Sequence, residues 1–163
     1  MKVNNKNIAY IDGANLHNAI VELGWKMDYK KFRVWLSDKY GVEKAYIFIG
    51  YMRKYEPLYK ILKEGGYKLI FKEVVYGEAG KPKGNCDADL VLKVVSDIFE
   101  SDVGKIILVS SDGDYSSLVK FLMKKDKLLA VLSPSLPYKC SILLKKTGAK
   151  IAYLNDQKNI LRK

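Results

Sequence analysis

Short apolar runs alternate with segments of helical periodicity along almost the whole chain. Runs rich in β-branched and aromatic residues predict strands at 8–11, 45–49, 69–75, 105–110, 127–132 and 151–154. Apolar residues at helical spacing predict helices at 14–24, 25–40, 57–62, 87–99, 115–124 and 138–146. The one long loop that this pattern predicts spans 76–85.

Strands that alternate with helices are typical of βαβ units, in which a mostly parallel sheet is covered by helices on both faces. The chain shows no internal repeat and no linker that would divide it. We therefore predict one three-layer α/β domain over residues 1–163, with its core at about 8–154 and a short basic C-terminal tail.

The composition narrows the class of protein. Hydrophobic residues make up 48% and charged residues 29%, which is typical of a globular domain. No apolar run approaches the roughly 20 residues of a membrane-spanning helix, and the polar N-terminus lacks a secretory pattern. Two cysteines without a CxxC motif and a single histidine exclude a zinc-cluster scaffold and a disulfide framework. We expect an intracellular, cytoplasmic protein with no membrane partner.

The net charge points to a class of partner. Lys and Arg total 29 against 18 acidic residues, which gives +11. This excess favours polyanions, with nucleic acid first and an anionic membrane surface second. The alternative is that the lysines only keep a small domain in solution, and charge alone does not separate the two interpretations.

Aspartates fall at the carboxyl edge of the predicted sheet, where open parallel sheets bind their ligands. Asp12 ends the first strand, and Asp112 and Asp114 follow a later one. Asp87 begins the helix after the long loop. The helical phase turns Asp87 towards the apolar stripe of its helix and Asp89 towards solvent.

Each aspartate taken alone has a simpler interpretation, because Asp is a preferred helix N-cap. Ser, Thr or Asn would cap equally well, however, and three separate strand-to-helix crossings here supply Asp. Carboxylates that converge on one edge repel each other and raise at least one pKa unless a cation neutralises them. Oxygen donors without His or Cys select hard ions such as Mg²⁺ or Mn²⁺. An acidic pocket in a basic protein suits a metal-dependent enzyme that acts on a phosphate polyanion.

Three segments resemble the signature blocks of NYN domains, with the LabA-like branch as the nearest match: 10–16 (YIDGANL), 83–90 (KGNCDADL) and 109–115 (VSSDGDY). The resemblance extends from about residue 8 to residue 154. It implies a PIN-like (Rossmannoid) α/β fold and a Mg²⁺-dependent ribonuclease-type site. Carried over by position, the acidic site residues are Asp12, Asp87, Asp112 and Asp114, and Asn15 is the polar residue that supports them.

The resemblance leads to a hypothesis of RNA hydrolysis, with endonucleolytic cleavage favoured. One or two Mg²⁺ or Mn²⁺ ions held by these carboxylates would bind the scissile phosphate and activate a water for in-line attack. Aromatic and basic residues near the same edge suit contacts to single-stranded RNA. The expected contact residues are Tyr51, Arg53, Lys54, Lys81, Lys83 and Lys139. The simpler interpretation of each lysine is a solvated surface residue.

Other classes of protein fit less well. A haloacid-dehalogenase-like phosphatase has a DxD motif after the first strand, whereas Asp12 is followed by Gly13 and Ala14. The GxGxxG motif of a Rossmann nucleotide binder and the Walker A pattern are absent. The main alternative is a non-catalytic RNA-binding or regulatory module that keeps the acidic edge. The oligomeric state is open, a homodimer included, and we expect Trp25 and Trp35 to lie in the core rather than on a dimer face.

Overall fold

The computed structural model describes residues 6–80, 82–83 and 86–163, and strands alternate with helices along them. The elements are β1 (Asn7–Asp12), α1 (Gly13–Glu22), α2 (Tyr29–Tyr40), β2 (Val42–Gly50), α3 (Glu56–Glu64), β3 (Tyr67–Lys72), β4 (Val75–Tyr76), β5 (Pro82–Lys83), α4 (Asp87–Glu100), β6 (Ile106–Val109), α5 (Ser116–Lys124), β7 (Leu128–Ser133), α6 (Ile142–Lys145), β8 (Ile151–Tyr153) and α7 (Lys158–Leu161). Short 3₁₀ turns precede α3, α5 and α7.

Six of these strands form one sheet in the order β3-β2-β1-β6-β7-β8, and every strand pair in it is parallel. β4 and β5 form a separate antiparallel ribbon. The sheet order reverses between β1 and β6, and the crevice beyond the carboxyl ends at such a point is where open α/β sheets bind ligands. The prediction of a three-layer α/β fold with a mostly parallel sheet is confirmed.

Two apolar clusters hold the sheet between its helices. α1 and α2 pack on one face of the sheet with Ile11, and α4 and α5 pack on the other face with Tyr10 and Leu108. Successive residues of β1 enter opposite clusters, as the pleat of a strand requires. Trp25 is buried and Trp35 packs against the first cluster, so both lie in the core as expected.

Two helices differ from their predicted bounds. α2 begins later than predicted, at Tyr29, because Asp28 caps it and accepts the backbone N–H of Lys31 at 3.0 Å. The helix predicted at 138–146 is only the short α6, which Ser141 caps. In both cases a side-chain cap sets the start of the helix, and the apolar periodicity before it belongs to a turn.

The C-terminal residues belong to the fold rather than to a tail. The Leu161 side chain is fully buried, and its carbonyl accepts the N–H of Asp28 at 2.8 Å. Met27 and Arg162 form an antiparallel bridge. The core therefore extends beyond the predicted limit at residue 154, because α7 packs on α2. No helix in the described ranges is long and apolar enough to cross a bilayer.

Candidate functional site

Three carboxylates meet beyond the carboxyl ends of β1 and β6. One oxygen from each of Asp12, Asp87 and Asp112 lies within 4.8 Å of the others. Asp12 is the last residue of β1, Asp112 follows β6, and Asp87 is the first residue of α4. The structure thus brings three of the four predicted carboxylates together where the sheet order reverses. We refer to these three residues as the acidic cluster.

The turn from β1 into α1 depends on a glycine. A Cβ atom on Gly13 would lie 2.1 Å from a methyl carbon of Ile49 and 2.9 Å from the carbonyl oxygen of Phe48. Only glycine lets α1 begin so close to β2. Asp12 Oδ1 accepts the backbone N–H of Asn15 at 3.1 Å. Asp12 therefore caps α1 and also belongs to the acidic cluster, so the two interpretations of this residue are compatible.

A tyrosine hydroxyl joins two members of the acidic cluster. The Tyr115 hydroxyl oxygen lies 3.1 Å from Asp12 Oδ2 and 2.9 Å from Asp87 Oδ1, and its single proton can be donated to either carboxylate. Burial, and then the charge of Asp12, raises the pKa of Tyr115, so the hydroxyl stays protonated. Tyr115 is not among the predicted site residues, although it directly follows Asp114, because a buried tyrosine in an apolar pattern resembles a core residue.

Asn15 ties α1 to the segment that carries Asp112. Its Oδ1 accepts the backbone N–H of Ser111 at 2.9 Å and the Ser111 hydroxyl at 3.2 Å. Ser110 Oγ accepts the backbone N–H of Asp112 at 3.1 Å. These bonds hold the turn after β6 in place. Asn15 thus ties the start of α1 to this turn, and the supporting role that the family resemblance implies for it stays a prediction.

Asp114 lies beside the acidic cluster and not in it. Its side chain is exposed, and its backbone N–H donates to Asp112 Oδ1 at 2.9 Å. Asp112 in this way caps the 3₁₀ turn Gly113–Tyr115. A Cβ atom on Gly113 would lie 2.3 Å from Ser141 Oγ, so a larger residue there would displace the hydroxyl that caps α6.

Burial and repulsion act together on the acidic cluster. Burial, followed by the charges of Asp87 and Asp112, raises the pKa of Asp12. Burial, followed by the charges of Asp112 and Asp114, raises the pKa of Asp87. Hydrogen bonds from the protein offset these effects only in part. Ionising all three carboxylates therefore costs free energy when no cation is bound, and a bound cation would stabilise the ionised cluster.

The acidic cluster lines a cavity of about 260 Å³. Three carboxylate oxygens without histidine form a donor set that fits a hard divalent cation. Cys86 also lines the cavity, and burial raises the pKa of its thiol to about 11. The thiol therefore stays protonated near neutral pH, and the carboxylates remain the ligands that the cavity offers.

Lys72 brings a positive charge to the same cavity. It lies at the end of β3, lines the cavity, and its Nζ is 3.6 Å from Oδ2 of Asp89, which is exposed as predicted. A cation at the mouth of an acidic cavity suits a phosphate bound between them. The sequence analysis did not single out Lys72, which is one of 29 Lys and Arg residues with no local pattern to mark it.

Three predicted nucleic-acid contacts follow β2 closely. Tyr51 comes directly after β2 and is partly exposed, and Arg53 and Lys54 are exposed on the next 3₁₀ turn. Lys54 Nζ lies 5.0 Å from the centroid of the Tyr55 ring. Since Gly50 at the end of β2 lines the acidic cavity, these residues lie on the surface that continues from it.

Of the other three predicted contacts, only Lys139 has a side chain that the structure describes. Lys139 forms an ion pair with Glu22 in the last turn of α1, about two helical turns from Asn15. Lys81 lies outside the described residues. Lys83 is described only as a backbone position in β5.

Comparison with known proteins identifies the family of the chain and a solved structure of similar fold. The family model of the NYN domain matches residues 7–145. The crystal structure of a protein of unknown function from Vibrio parahaemolyticus is similar to this chain, with a TM-score of 0.76, 23% identity and 99% of each chain covered. At this identity the likeness shows a shared fold. The comparison with curated proteins gave no significant match.

Proposed function

Because the chain belongs to the NYN domain family, a nuclease-like family, we propose that it is a metal-dependent ribonuclease-type phosphodiesterase. In this proposal it is a PIN-like protein of the LabA-like branch and hydrolyses single-stranded RNA, endonucleolytic attack being favoured. The observation that carries the proposal is the convergence of Asp12, Asp87 and Asp112 where the sheet order reverses. The net charge of +11 supports a polyanionic substrate.

The metal would be Mg²⁺ or Mn²⁺, held by the acidic cluster with Asp114 close by. When bound, it would polarise the scissile phosphate as a Lewis acid and activate the attacking water. Three carboxylates from the protein would leave room on a hard divalent cation for substrate and water.

The chain's own residues orient the site. The Tyr115 hydroxyl holds Asp12 and Asp87 close to each other. Asn15 holds the turn that carries Asp112, through Ser111. Lys72 at the mouth of the cavity would bind a phosphate oxygen by charge. These groups are in place before substrate arrives, which lowers the cost of positioning it.

A non-catalytic RNA-binding module is the second candidate function, and one observation favours it. Asp114 points outside the acidic cluster, so three carboxylates converge rather than four. A site with fewer carboxylates would still bind a phosphate backbone beside Lys72 without hydrolysing it.

A cleavage time course separates the two functions. Labelled single-stranded RNA is incubated with the protein in Mg²⁺, Mn²⁺ or EDTA, in parallel with Asp112→Asn and with Asp38→Asn, which makes the same change at an exposed position on α2. We expect metal-dependent cleavage that Asp112→Asn lowers at least about 100-fold and Asp38→Asn leaves unchanged. Tight binding without cleavage in any metal would support the RNA-binding module. Cleavage that survives Asp12→Asn and Asp112→Asn together would refute the proposed site.

A further inference from the structure

Three aromatic rings cluster beside the acidic cavity, at the carboxyl ends of β2 and β3. The ring centroid of Phe71 lies 5.4 Å from that of Tyr51 and 4.9 Å from that of Tyr59. Tyr59 is buried, whereas Tyr51 is 42% and Phe71 is 38% exposed. We refer to Tyr51, Tyr59 and Phe71 as the aromatic shelf. Its two outer rings present apolar surface to solvent in an open cavity of about 380 Å³.

Hydrogen bonds hold the shelf in place. The Tyr59 hydroxyl donates to the carbonyl of Gly50 at 3.2 Å and accepts the backbone N–H of Met52 at 3.0 Å. The Tyr51 hydroxyl donates to Glu56. Little conformational freedom would be lost when a flat ligand stacks on rings that are already fixed.

One lysine beside the shelf can contact an anion next to the stacked group. Lys63 Nζ lies 5.9 Å from the centroid of the Phe71 ring. Both carboxylates that line the shelf already have partners, since Glu56 accepts the Tyr51 hydroxyl and Glu64 lies 4.0 Å from Lys60. Among the ion pairs of the described residues none involves Lys63. Its ammonium group is thus available for a phosphate.

The shelf and the acidic cavity adjoin across one sheet edge. Gly50 and Lys72 are opposite each other in the β2–β3 register and line the acidic cavity. Tyr51 and Phe71, their neighbours in sequence, belong to the shelf. Consecutive residues of a strand point to opposite faces while their Cα atoms lie only about 3.8 Å apart. A strand of nucleic acid that leaves the acidic cavity would reach the shelf by passing around the end of β3 to the other face of the sheet.

We propose that the aromatic shelf binds an unpaired base of the strand whose phosphate lies at the acidic cavity, with Lys63 on an adjoining phosphate. The inference rests on the proposed function for the class of substrate, and it adds the place on the protein where a base of that substrate binds. Bases in a duplex are stacked and paired, so only a single strand can place a base on the shelf. Since every base has a flat aromatic face, the shelf would distinguish single strands from duplexes but not one base sequence from another.

Binding is measured by fluorescence anisotropy in EDTA, with a labelled single-stranded oligonucleotide and protein in the Asp112→Asn background. Adding Phe71→Ala should weaken binding about 5- to 100-fold. Phe99→Ala, which removes an aromatic ring that is 71% exposed at the far end of α4, should change binding less than about twofold. Lys63→Gln should weaken binding and lower its salt dependence.

A second ligand makes the test independent of any effect of Phe71→Ala on folding. A strand of abasic sugars of the same length keeps the phosphates and removes the bases. Protein with Phe71 should bind it about 5- to 100-fold more weakly than the normal strand, whereas the Phe71→Ala protein should bind both equally. Phe71→Trp should restore the preference for the normal strand.

The outcomes separate this inference from the proposed function. Equal affinity for normal and abasic strands in protein that keeps Phe71 would overturn the shelf as a base-binding site, even where the wild type cleaves RNA. Binding that depends on Phe71, in a protein that cleaves in no metal, would support the shelf and refute the hydrolytic function. Tighter binding of a duplex than of a single strand would also overturn the inference.

Discussion

Two buried aspartates lie between β1 and α4, and their surroundings differ. Asp97 and Asp12 are each 7% exposed. Asp97 accepts a hydrogen bond from the Tyr10 hydroxyl at 2.7 Å and forms an ion pair with Lys93 Nζ at 2.9 Å. The chain therefore supplies both a hydroxyl donor and a counter-charge for this carboxylate.

Asp12 has a hydroxyl donor too, in Tyr115, but its charged neighbours are Asp87 and Asp112. None of the ion pairs among the described residues involves Asp12. A buried carboxylate needs a counter-charge, whether from the chain or from a ligand. Burial of a carboxylate alone therefore does not identify a candidate site, whereas burial of a carboxylate among other carboxylates does.

The largest expected difference between the two aspartates is in cleavage. Asp12→Asn should lower metal-dependent RNA cleavage at least about 100-fold while keeping the cap of α1, since Asn caps as well as Asp. Asp97→Asn should leave cleavage within about twofold and lower the free energy of unfolding by about 1–3 kcal/mol, because Lys93 loses its partner. Single-turnover cleavage and urea unfolding measure the two effects. Equal loss of cleavage in both variants would show that Asp12 has no special role.

The two aspartates should also differ in how much a bound metal ion raises the free energy of unfolding. At a Mg²⁺ or Mn²⁺ concentration 100-fold above its Kd, the folded protein should gain about 2.7 kcal/mol. Asp97→Asn should keep this gain and Asp12→Asn should lose most of it, because only Asp12 belongs to the acidic cluster. Thermal unfolding with metal and with EDTA provides the measurement. A gain that Asp12→Asn leaves intact would place the metal elsewhere.

The two tyrosines allow a smaller, matched test. Tyr10→Phe and Tyr115→Phe each remove a hydroxyl that donates to a buried carboxylate, so each should cost about 1–2 kcal/mol in the free energy of unfolding. Only Tyr115→Phe should also weaken metal binding, by about 10-fold, because it orients two members of the acidic cluster. Urea unfolding in EDTA and a Mn²⁺ titration by calorimetry test both points. Weaker Mn²⁺ binding in Tyr10→Phe as well would contradict a role that is specific to the Tyr115 hydroxyl.

The smallest expected effect is on the pH dependence of stability. The folded protein raises the pKa of Asp12 and of Asp87 above the roughly 3.9 of an unfolded aspartate. The stability that these carboxyls contribute without metal is thus present below about pH 3.9 and is lost as the pH rises through their folded pKa. The metal needs the ionised form, so stabilisation by Mg²⁺ should fall as the pH is lowered towards that window.

Thermal unfolding between about pH 7 and about pH 4.5, with Mg²⁺ and with EDTA, measures this effect, which should be on the order of 1 kcal/mol. Without metal, Asp12→Asn should show a flatter dependence on pH than the wild type, and Asp38→Asn should match the wild type. Identical slopes for Asp12→Asn and the wild type would contradict the assignment to Asp12.

The fold class and the sheet edge at which the carboxylates lie could be predicted from local sequence patterns. Buried parallel strands appear as short apolar runs between helical patterns, which is visible without any long-range information. Asp12 and Asp112 each follow such a run, and the carboxyl ends of parallel strands share one edge. Helical phase was enough to turn Asp87 inwards and Asp89 outwards.

Which of these residues are in contact, and which side chains lie beside them, depends on the three-dimensional arrangement of the strands. Tyr115 looks like a core residue in sequence, Lys72 like one lysine among many, and Phe71 like part of a strand. The order of the strands in the sheet places Tyr115 and Lys72 at the acidic cluster and its cavity, and Phe71 in the aromatic shelf. Hydrophobic periodicity depends only on a few neighbouring positions in the sequence. Contacts between distant segments depend on the order of the strands, which cannot be inferred from a local pattern.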